Sequence, residues 1–372
     1  MDFAFTEEQE AVRELSARIF SDLATPERLR EIEDSDERVD RKLWAELASA
    51  GLLGIALPES AGGAGLGFVA AGIVAEEAGR SAAAVPVVAS MVLGADPIAR
   101  HGGAELHERW LAPMVAGDVV LSAALVEPGG DPWAPATTAT RQGDGWRLDG
   151  TKAFVPAGMV AGALVVSART DDGVGLFVVD GAAAGLVRRA QEATDFAVEA
   201  EIVLDGVVVG PGDALATGAP GVAALTTLLE RAEAALCAQV AGACQAAIKL
   251  TASYTSQREQ FGKPIATFQA VGQRAADAYI DTEAVRLTAW QAVWRLSEDL
   301  PASAEVAVAK YWADEGAQRV VHAAQHLHGG MGVDRDYPLH RYYLMVKHLS
   351  LTLGGATASL LRLGDLLADE PA

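Results

Sequence analysis

The spacing of apolar residues changes period twice along this 372-residue chain. Up to about Ala116 the pattern is helical, with charged first turns that lead into apolar stripes. From Gly117-Asp118 the apolar runs become short, rich in β-branched residues and separated by glycine and aspartate turns. Beyond Gly221 the helical period returns. The sequence therefore predicts helices, then strands, then helices again.

These changes predict an α+β protein with three domains. We expect an N-terminal helical domain over residues 1–117, a middle β-barrel or sandwich domain over 118–216, and a C-terminal four-helix bundle over 217–372. In the bundle, alternating spacings of four and three from Leu236 to Tyr254 give the first helix a continuous apolar stripe.

Two local patterns make sharper predictions within this outline. Thr6 followed by Gln9 is a capping-box pattern, so the first helix is expected to begin there. Asp205-Gly206, between two β-rich runs, is typical of a hairpin turn.

Composition limits the possible partners and compartment. The 50 acidic residues outnumber the 29 basic ones, and the net charge of −21 repels nucleic acid and anionic lipid. The longest run without a charged residue has 16 residues, shorter than the ~18 that a membrane helix needs. Met1-Asp2-Phe3 has no basic or apolar leader, so we expect a cytoplasmic protein. Cys237 and Cys244 are expected in the core, without a metal or disulfide role.

One candidate binding segment follows the first bundle helix. Arg258 and Phe261 stand where Gly262 and Pro264 should end the helix, so a cation and an aromatic ring are presented together. This pair suits a phosphate and a planar ring. An ordinary charged helix end has the same local pattern, so the segment alone leaves both interpretations open.

A second candidate segment lies where a later helix ends. Gln325, two histidines and the glycines Gly329 and Gly330 occur within eight residues. Glycines let backbone N–H groups approach a ligand closely, and the Gln325 amide can both donate and accept. The histidine spacing disfavours a metal site, and polar residues satisfied at a helix end explain His326 and His328 equally well.

Five segments in this order resemble the acyl-CoA dehydrogenase family along the whole chain: Pro58–Gly63, Glu127–Gly130, Gly150–Phe154, Arg258–Val271 and Gln325–Gly332. The resemblance implies the fold of that family, an acyl-CoA substrate, FAD as cofactor and an electron-transfer flavoprotein as acceptor. It also implies that FAD is shared at a subunit interface. The residues expected to reach the adenine and pyrophosphate end of a neighbour's FAD are Arg258, Phe261, Gln325, Gly329 and Gly330.

The chain departs from the family where the catalytic base is expected. Family members oxidise the Cα–Cβ bond of an acyl-CoA thioester, and a glutamate removes the α-proton. By resemblance the usual position of that glutamate falls on Leu353, Gly354 or Gly355, and no Asp or Glu occurs between Lys347 and Asp365. We therefore assign no catalytic residue to this chain.

Some family members carry the base on the first bundle helix instead. By resemblance that position falls on Ala232, flanked by Glu230 and Glu233. One or two residues along a helix rotate a side chain by ~100 to 200°, so both glutamates are expected on a solvated face. They remain the alternative candidates for a base.

The positions that contact the flavin ring in the family also differ. Val126 precedes Glu127-Pro128 where the family has a threonine, and Pro156 stands where it has a serine or threonine. Valine has no hydroxyl, and proline lacks the backbone N–H. The segment Gly130-Asp131-Pro132 replaces a further hydroxyl donor. We therefore expect that the chain's own flavin site is empty.

The residues expected to bind a neighbour's FAD are nevertheless present in this chain. The pattern resembles the partner subunit of actinobacterial α2β2 acyl-CoA dehydrogenases that act on steroid side-chain CoA thioesters. The resemblance implies that a homologous catalytic subunit holds the base. Two alternatives stay open: a self-sufficient homotetrameric dehydrogenase with Glu230 or Glu233 as base, and a non-catalytic structural or binding protein on this fold.

Overall fold

The computed structural model describes residues 4–369, so the expectation drawn from Met1-Asp2-Phe3 lies outside the described residues. Contacts divide the chain into two compact units. The first contains the described residues up to Ile19, together with Leu29–Val74 and Ala84–Ala232. The second contains Phe20–Arg28, Ala75–Ala83 and the described residues from Glu233 onward. The three-domain division expected from the sequence stays a prediction.

Seven helices precede the strands in the described part of the chain: α1 (Glu7–Leu23), α2 (Pro26–Glu33), α3 (Arg41–Ser49), α4 (Gly67–Arg80), α5 (Asp96–His101), α6 (Ala104–Leu106) and α7 (Ala112–Val115). The capping box is confirmed, because the Thr6 N–H donates to Gln9 Oε1 at 3.0 Å and the Gln9 N–H donates to Thr6 Oγ1 at 3.2 Å. The helical series is interrupted after Pro58 by a short 3₁₀ turn, as proline and paired glycines predict.

Eight strands form one mixed sheet in the first unit: β1 (Leu121–Ala124), β2 (Thr138–Gln142), β3 (Gly145–Pro156), β4 (Ala163–Thr170), β5 (Gly173–Asp180), β6 (Leu186–Glu192), β7 (Val198–Val209) and β8 (Ala214–Thr217). The order is β6-β7-β3-β2-β4-β5-β8, and β1 pairs with β4. The buried face of the sheet includes Trp146 and Phe177, in edge-to-face contact with centroids 5.3 Å apart.

The expected hairpin at Asp205-Gly206 is wrong. These residues lie inside the continuous strand β7, and the pairing with β3 shifts by one residue beside them. Gly206 has a φ of 65°, and its N–H donates to Asp149 Oδ1 at 2.8 Å. A left-handed glycine also suits a β-bulge, so the same dipeptide bends the strand without reversing it.

After β8 the chain is mainly helical, with α8 (Gly218–Gln257), β9 (Glu259–Gln260), β10 (Lys263–Pro264), α9 (Gln269–Ser297), α10 (Ser303–Tyr311), α11 (Ala317–His328), α12 (Leu339–Leu349) and α13 (Ala356–Asp369). A π turn, Trp312–Gly316, joins α10 to α11. The four expected bundle helices are therefore present, and α13 is an additional helix that the sequence reading missed.

Close backbone approach explains two glycines of the second unit. A Cβ at Gly79 would lie 1.8 Å from the carbonyl oxygen of Gln239, and one at Gly242 would lie 1.9 Å from that of Glu76. Cys237 and Cys244 lie on the same helix, α8, and are buried free thiols. Burial raises the pKa of both thiols, so they behave as small core side chains, as expected.

One described helix, α8, is long and apolar enough to span a membrane. Its most apolar window is 67% buried inside the protein, which is typical of a core helix of a globular domain.

Candidate functional site

A two-residue turn exposes Phe261 at the tip of the β9–β10 hairpin. Phe261 and Gly262 have φ angles of 54° and 75°, as a type I′ turn requires. Glycine adopts these angles freely, whereas they cost a phenylalanine about 1 kcal/mol or more. The Phe261 side chain is 93% exposed, and its ring meets Phe268 edge-on with centroids 6.2 Å apart. A strained and exposed aromatic residue indicates a binding role.

Arg258 stands at the base of the same hairpin. Its N–H donates to the Tyr254 carbonyl at 2.8 Å, and its own carbonyl accepts from the Ile265 N–H at 2.8 Å. The Arg258 side chain is exposed, as is that of Lys263, whose Nζ lies 4.6 Å from the centroid of the Phe268 ring. The hairpin thus presents two cations and an aromatic ring, which together suit a phosphate and a planar ring.

The end of α11 presents a turn of open backbone. Gly329 has φ 60° and ψ −136°, a conformation that favours glycine. A Cβ at Gly329 or Gly330 would meet no atom within 4 Å. Gln325 is half-buried, and its Nε2 donates to the Gly329 carbonyl at 3.4 Å. The turn can therefore offer backbone groups and one amide to a ligand.

The structure places all five predicted cofactor-binding residues in the second unit, at the ends of two helices. Arg258 and Phe261 follow α8, whereas Gln325, Gly329 and Gly330 lie in the last turn of α11 and just beyond it. Their role in binding stays a prediction. His328 is buried and hydrogen-bonded at both ring nitrogens, which agrees with the interpretation of a satisfied polar residue at a helix end.

A buried ion pair joins two of the sequence segments singled out above. Lys152 Nζ, which is fully buried, donates to Glu127 Oε1 at 2.7 Å and to Ser167 Oγ at 3.1 Å. The backbone N–H groups of Ala136 and Thr137 donate to the same carboxylate, each at 2.8 Å. Burial raises the pKa of Glu127, but these hydrogen bonds outweigh it and lower the pKa from 4.5 to about 2. Both segments therefore have a structural role.

A second buried ion pair lies beside the turn that follows α12. Lys310 Nζ donates to Asp314 Oδ1 at 2.5 Å and approaches the Gly354 carbonyl at 3.5 Å. Burial raises the pKa of Asp314 to about 7 despite the lysine. In this turn Leu353 is buried and has a φ of 61°. Sequence reasoning missed the pair, because a Lys-x-x-x-Asp spacing on a helix is usually an exposed pair.

The expectation that Glu230 and Glu233 lie on a solvated face is wrong, since both are buried. The two carboxylate oxygens of Glu233 accept hydrogen bonds from the Arg362 guanidinium at 3.0 and 2.5 Å. Arg362 belongs to α13, the helix absent from the sequence prediction. The sequence alone names no partner that could compensate a buried charge on Glu233, and a buried carboxylate without a partner is costly. It therefore favours an exposed Glu233.

Comparisons with known proteins identify the family. Residues 6–118 match the family described as acyl-CoA dehydrogenase, N-terminal domain, and residues 220–363 match acyl-CoA dehydrogenase, C-terminal domain. The acyl-CoA dehydrogenase FadE27 of Mycobacterium tuberculosis is 41% identical over 382 residues, which cover 100% of each chain. This chain belongs to the acyl-CoA dehydrogenase family. The expected fold, the oxidoreductase class and the family resemblance are thereby confirmed.

Solved acyl-CoA dehydrogenase structures superpose along the full length. A variant of the Tcur3481-Tcur3483 steroid ACAD is 49% identical with a TM-score of 0.92 over 98% of each chain. The ChsE4-ChsE5 complex from Mycobacterium tuberculosis gives 40% identity and a TM-score of 0.95 over 100% of each chain. More distant structures of this fold, at 22 to 24% identity, include a glutaryl-CoA dehydrogenase in complex with FADH2 and PigA with FAD.

The positions that by resemblance would contact the flavin ring offer few free donors among the described residues of this chain. The Phe154 N–H donates to Gln191 Oε1 at 2.7 Å, and Pro156 has no N–H. The Pro156 carbonyl accepts from Ser122 Oγ at 2.5 Å. Val126 presents an isopropyl group where the family has a hydroxyl. The polar edge of a flavin ring does not fit this donor set, because each unpartnered polar group would cost about 1 to 3 kcal/mol.

Proposed function

We propose that this chain is a subunit of a heteromeric FAD-dependent acyl-CoA dehydrogenase, arranged as α2β2 with a homologous catalytic subunit. Bound FAD would supply the hydride acceptor for α,β-desaturation of the acyl-CoA. The catalytic subunit would hold the flavin ring and the base. This chain would bind the adenine and pyrophosphate end of that FAD through Arg258, Phe261, Gln325, Gly329 and Gly330.

The observation that carries the proposal is the turn around Leu353. A general base must come within hydrogen-bond reach of the proton that it removes, yet residues 348–364 contain no carboxylate. Leu353 fills this turn with an apolar side chain. Asp314, which Lys310 links to the turn, is 4% exposed and already paired with that lysine. The turn at the position that the resemblance gives to the base therefore has no carboxylate of its own.

Glu233 does not compensate for the missing base. Both of its oxygens are held by Arg362, so removing a substrate proton would require breaking a buried ion pair, at a cost of about 3 to 5 kcal/mol. Glu230 is also buried and stays an alternative candidate for a base, as Glu233 does.

The surface of the second unit supports a binding role towards a partner. In a chain of net charge −21, the exposed Arg258 and Lys263 provide local positive charge for a pyrophosphate. Following the hairpin, α9 exposes Ile280, Leu287 and Trp294, which are seven residues apart and therefore share one helix face. An exposed apolar stripe on the helix that follows the candidate binding hairpin favours a homologous subunit as the covering partner.

The substrate and acceptor belong to the same proposal. Because one relative is described as a steroid ACAD and another as a complex of two ChsE chains, we propose a sterol side-chain CoA thioester as substrate. An electron-transfer flavoprotein would accept the electrons, and the complex would act in the cytoplasm in steroid degradation.

Flavin absorbance tests the proposal directly. The chain is purified alone and after co-expression with a homologous acyl-CoA dehydrogenase chain from the same genome, and the bound FAD is measured per protomer at 450 nm. We expect a colourless chain alone and a yellow complex. A chain that is yellow alone would refute the proposal in favour of a homotetramer with Glu230 or Glu233 as base. A colourless complex would refute it in favour of a non-catalytic protein on this fold.

A further inference from the structure

Three rings pack together beneath the glycine turn at the end of α11. The imidazole of His328 stacks on the Tyr254 ring with centroids 4.4 Å apart and an angle of 24° between the planes. The Tyr337 ring lies 5.2 Å from His328 and 6.1 Å from Tyr254, centroid to centroid. His328 is 3% exposed. The three rings, called here the Tyr254–His328–Tyr337 cluster, therefore pack together around a buried histidine.

The neighbours of His328 determine its tautomer. Nδ1 lies 2.7 Å from the Ala324 carbonyl oxygen, which can only accept, so Nδ1 carries the hydrogen. Nε2 lies 3.0 Å from the Tyr337 hydroxyl, and a neutral imidazole accepts at that nitrogen. Burial lowers the pKa of His328, although the hydrogen bond to Ala324 opposes this shift. Both ring nitrogens thus have directional partners, and the ring orientation is fixed.

This cluster connects the ends of the two helices that carry the candidate binding residues. Tyr254 lies one helical turn before Arg258, whose N–H donates to its carbonyl. His328 lies three residues after Gln325 and directly before Gly329. The Tyr254 hydroxyl also approaches the His328 carbonyl oxygen at 3.5 Å. The stacked rings therefore hold the last turn of α8 against the last turn of α11.

We propose that His328 is a positioning residue for FAD. It would fix the position of residues 325–330 relative to Arg258. Both segments could then bind the same FAD without first having to become ordered. Gly329 and Gly330 contribute no side chains to the packing of this segment, and glycine loses the most conformational freedom when it is fixed. Preorganisation of this kind raises affinity by lowering the entropy cost of binding. The inference rests on the proposed function, since it assigns His328 to the same FAD half-site.

The test measures the Kd of FAD for the apo complex with its homologous partner, by flavin fluorescence. His328→Phe keeps a ring of similar size and removes both hydrogen bonds, and Tyr337→Phe removes only the hydroxyl. We expect the Kd to rise about tenfold for His328→Phe and about threefold for Tyr337→Phe. The kcat at saturating FAD should stay within about twofold of wild type. Tyr342→Phe, which removes a hydroxyl bonded to the Arg80 carbonyl outside the cluster, is the matched control and should leave Kd unchanged.

The outcomes separate this inference from the proposed function. An unchanged Kd for both His328→Phe and Tyr337→Phe, with only a lower Tm, would overturn the positioning role. If His328→Phe does not fold, Tyr337→Phe decides alone. The Arg258→Ala variant is measured in the same assay. If Arg258→Ala also leaves Kd unchanged, the proposed function itself fails, whereas a raised Kd for Arg258→Ala alone would overturn only the role of His328.

Discussion

Replacing Glu127 by glutamine tests whether the buried Glu127–Lys152 pair stabilises the sheet of the first unit. The pKa of Glu127 is about 2 in the folded chain, against 4.5 for an ordinary glutamate. Since one pKa unit corresponds to ~1.4 kcal/mol, the charged carboxylate stabilises the folded state by about 3 kcal/mol at neutral pH. Glu127→Gln also leaves the fully buried Lys152 without its countercharge, which typically costs about 3 to 5 kcal/mol.

Thermal unfolding followed by circular dichroism measures this loss. For a unit of roughly 200 residues, a loss of about 3 kcal/mol lowers Tm by about 6 to 12 °C. Lys152→Met removes the buried cation, so the Glu127→Gln/Lys152→Met double variant should be more stable than Glu127→Gln alone. The matched control is Arg147→Met on the same strand, which breaks an ion pair that is exposed on both sides and should change Tm little. A double variant as unstable as the sum of the single variants would refute the reasoning.

The buried Glu127–Lys152 pair also predicts how Tm depends on pH. The pKa of Glu127 is lower in the folded chain than in an ordinary glutamate. The charged carboxylate therefore contributes fully to the free energy of unfolding above about pH 4.5, and this contribution is lost as the pH falls towards 2. Between pH 5 and pH 2 the Tm of the wild type should therefore fall more steeply than that of the Glu127→Gln/Lys152→Met variant. Parallel Tm curves over this range would contradict the assignment.

Three further predictions concern the assembled enzyme. Arg258→Ala and Gln325→Ala should each weaken FAD binding to the complex by about one to two decades without unfolding the chain, since the Arg258 side chain is exposed and that of Gln325 is only half-buried. Full flavin occupancy in the co-purified double variant would argue against the shared site. Glu230→Gln and Glu233→Gln should each leave kcat within about threefold of wild type, whereas loss of a true base lowers kcat by ~10² or more. Glu233→Gln should also lower Tm, because Arg362 loses its ion-pair partner. The complex should oxidise a sterol side-chain CoA ester with a higher kcat/KM than a straight-chain one, and a preference for the linear ester would refute the steroid assignment while leaving the subunit role intact.

The sequence alone determined the order of helices and strands, because the hydrophobic period is a local property that a short window reports. It also located the break in the chain near Arg258 and Phe261 and the helix end near Gly329, since glycine and proline restrict the backbone wherever they stand. At Arg258 and Phe261 it predicted a helix end, where the structure has a hairpin. The absence of a carboxylate near Leu353 likewise needed only the order of residues and a family resemblance.

The tertiary structure decided every question that depends on residues far apart in the chain. Glu233 was expected in solvent, yet it is buried against Arg362, 129 residues further on. The Asp205-Gly206 turn became a bulge because β3 pairs along the whole of β7. The stacking of His328 on Tyr254 joins residues 74 apart. Local patterns report which backbone conformations are allowed, whereas burial and charge pairing depend on which distant side chain the fold brings alongside.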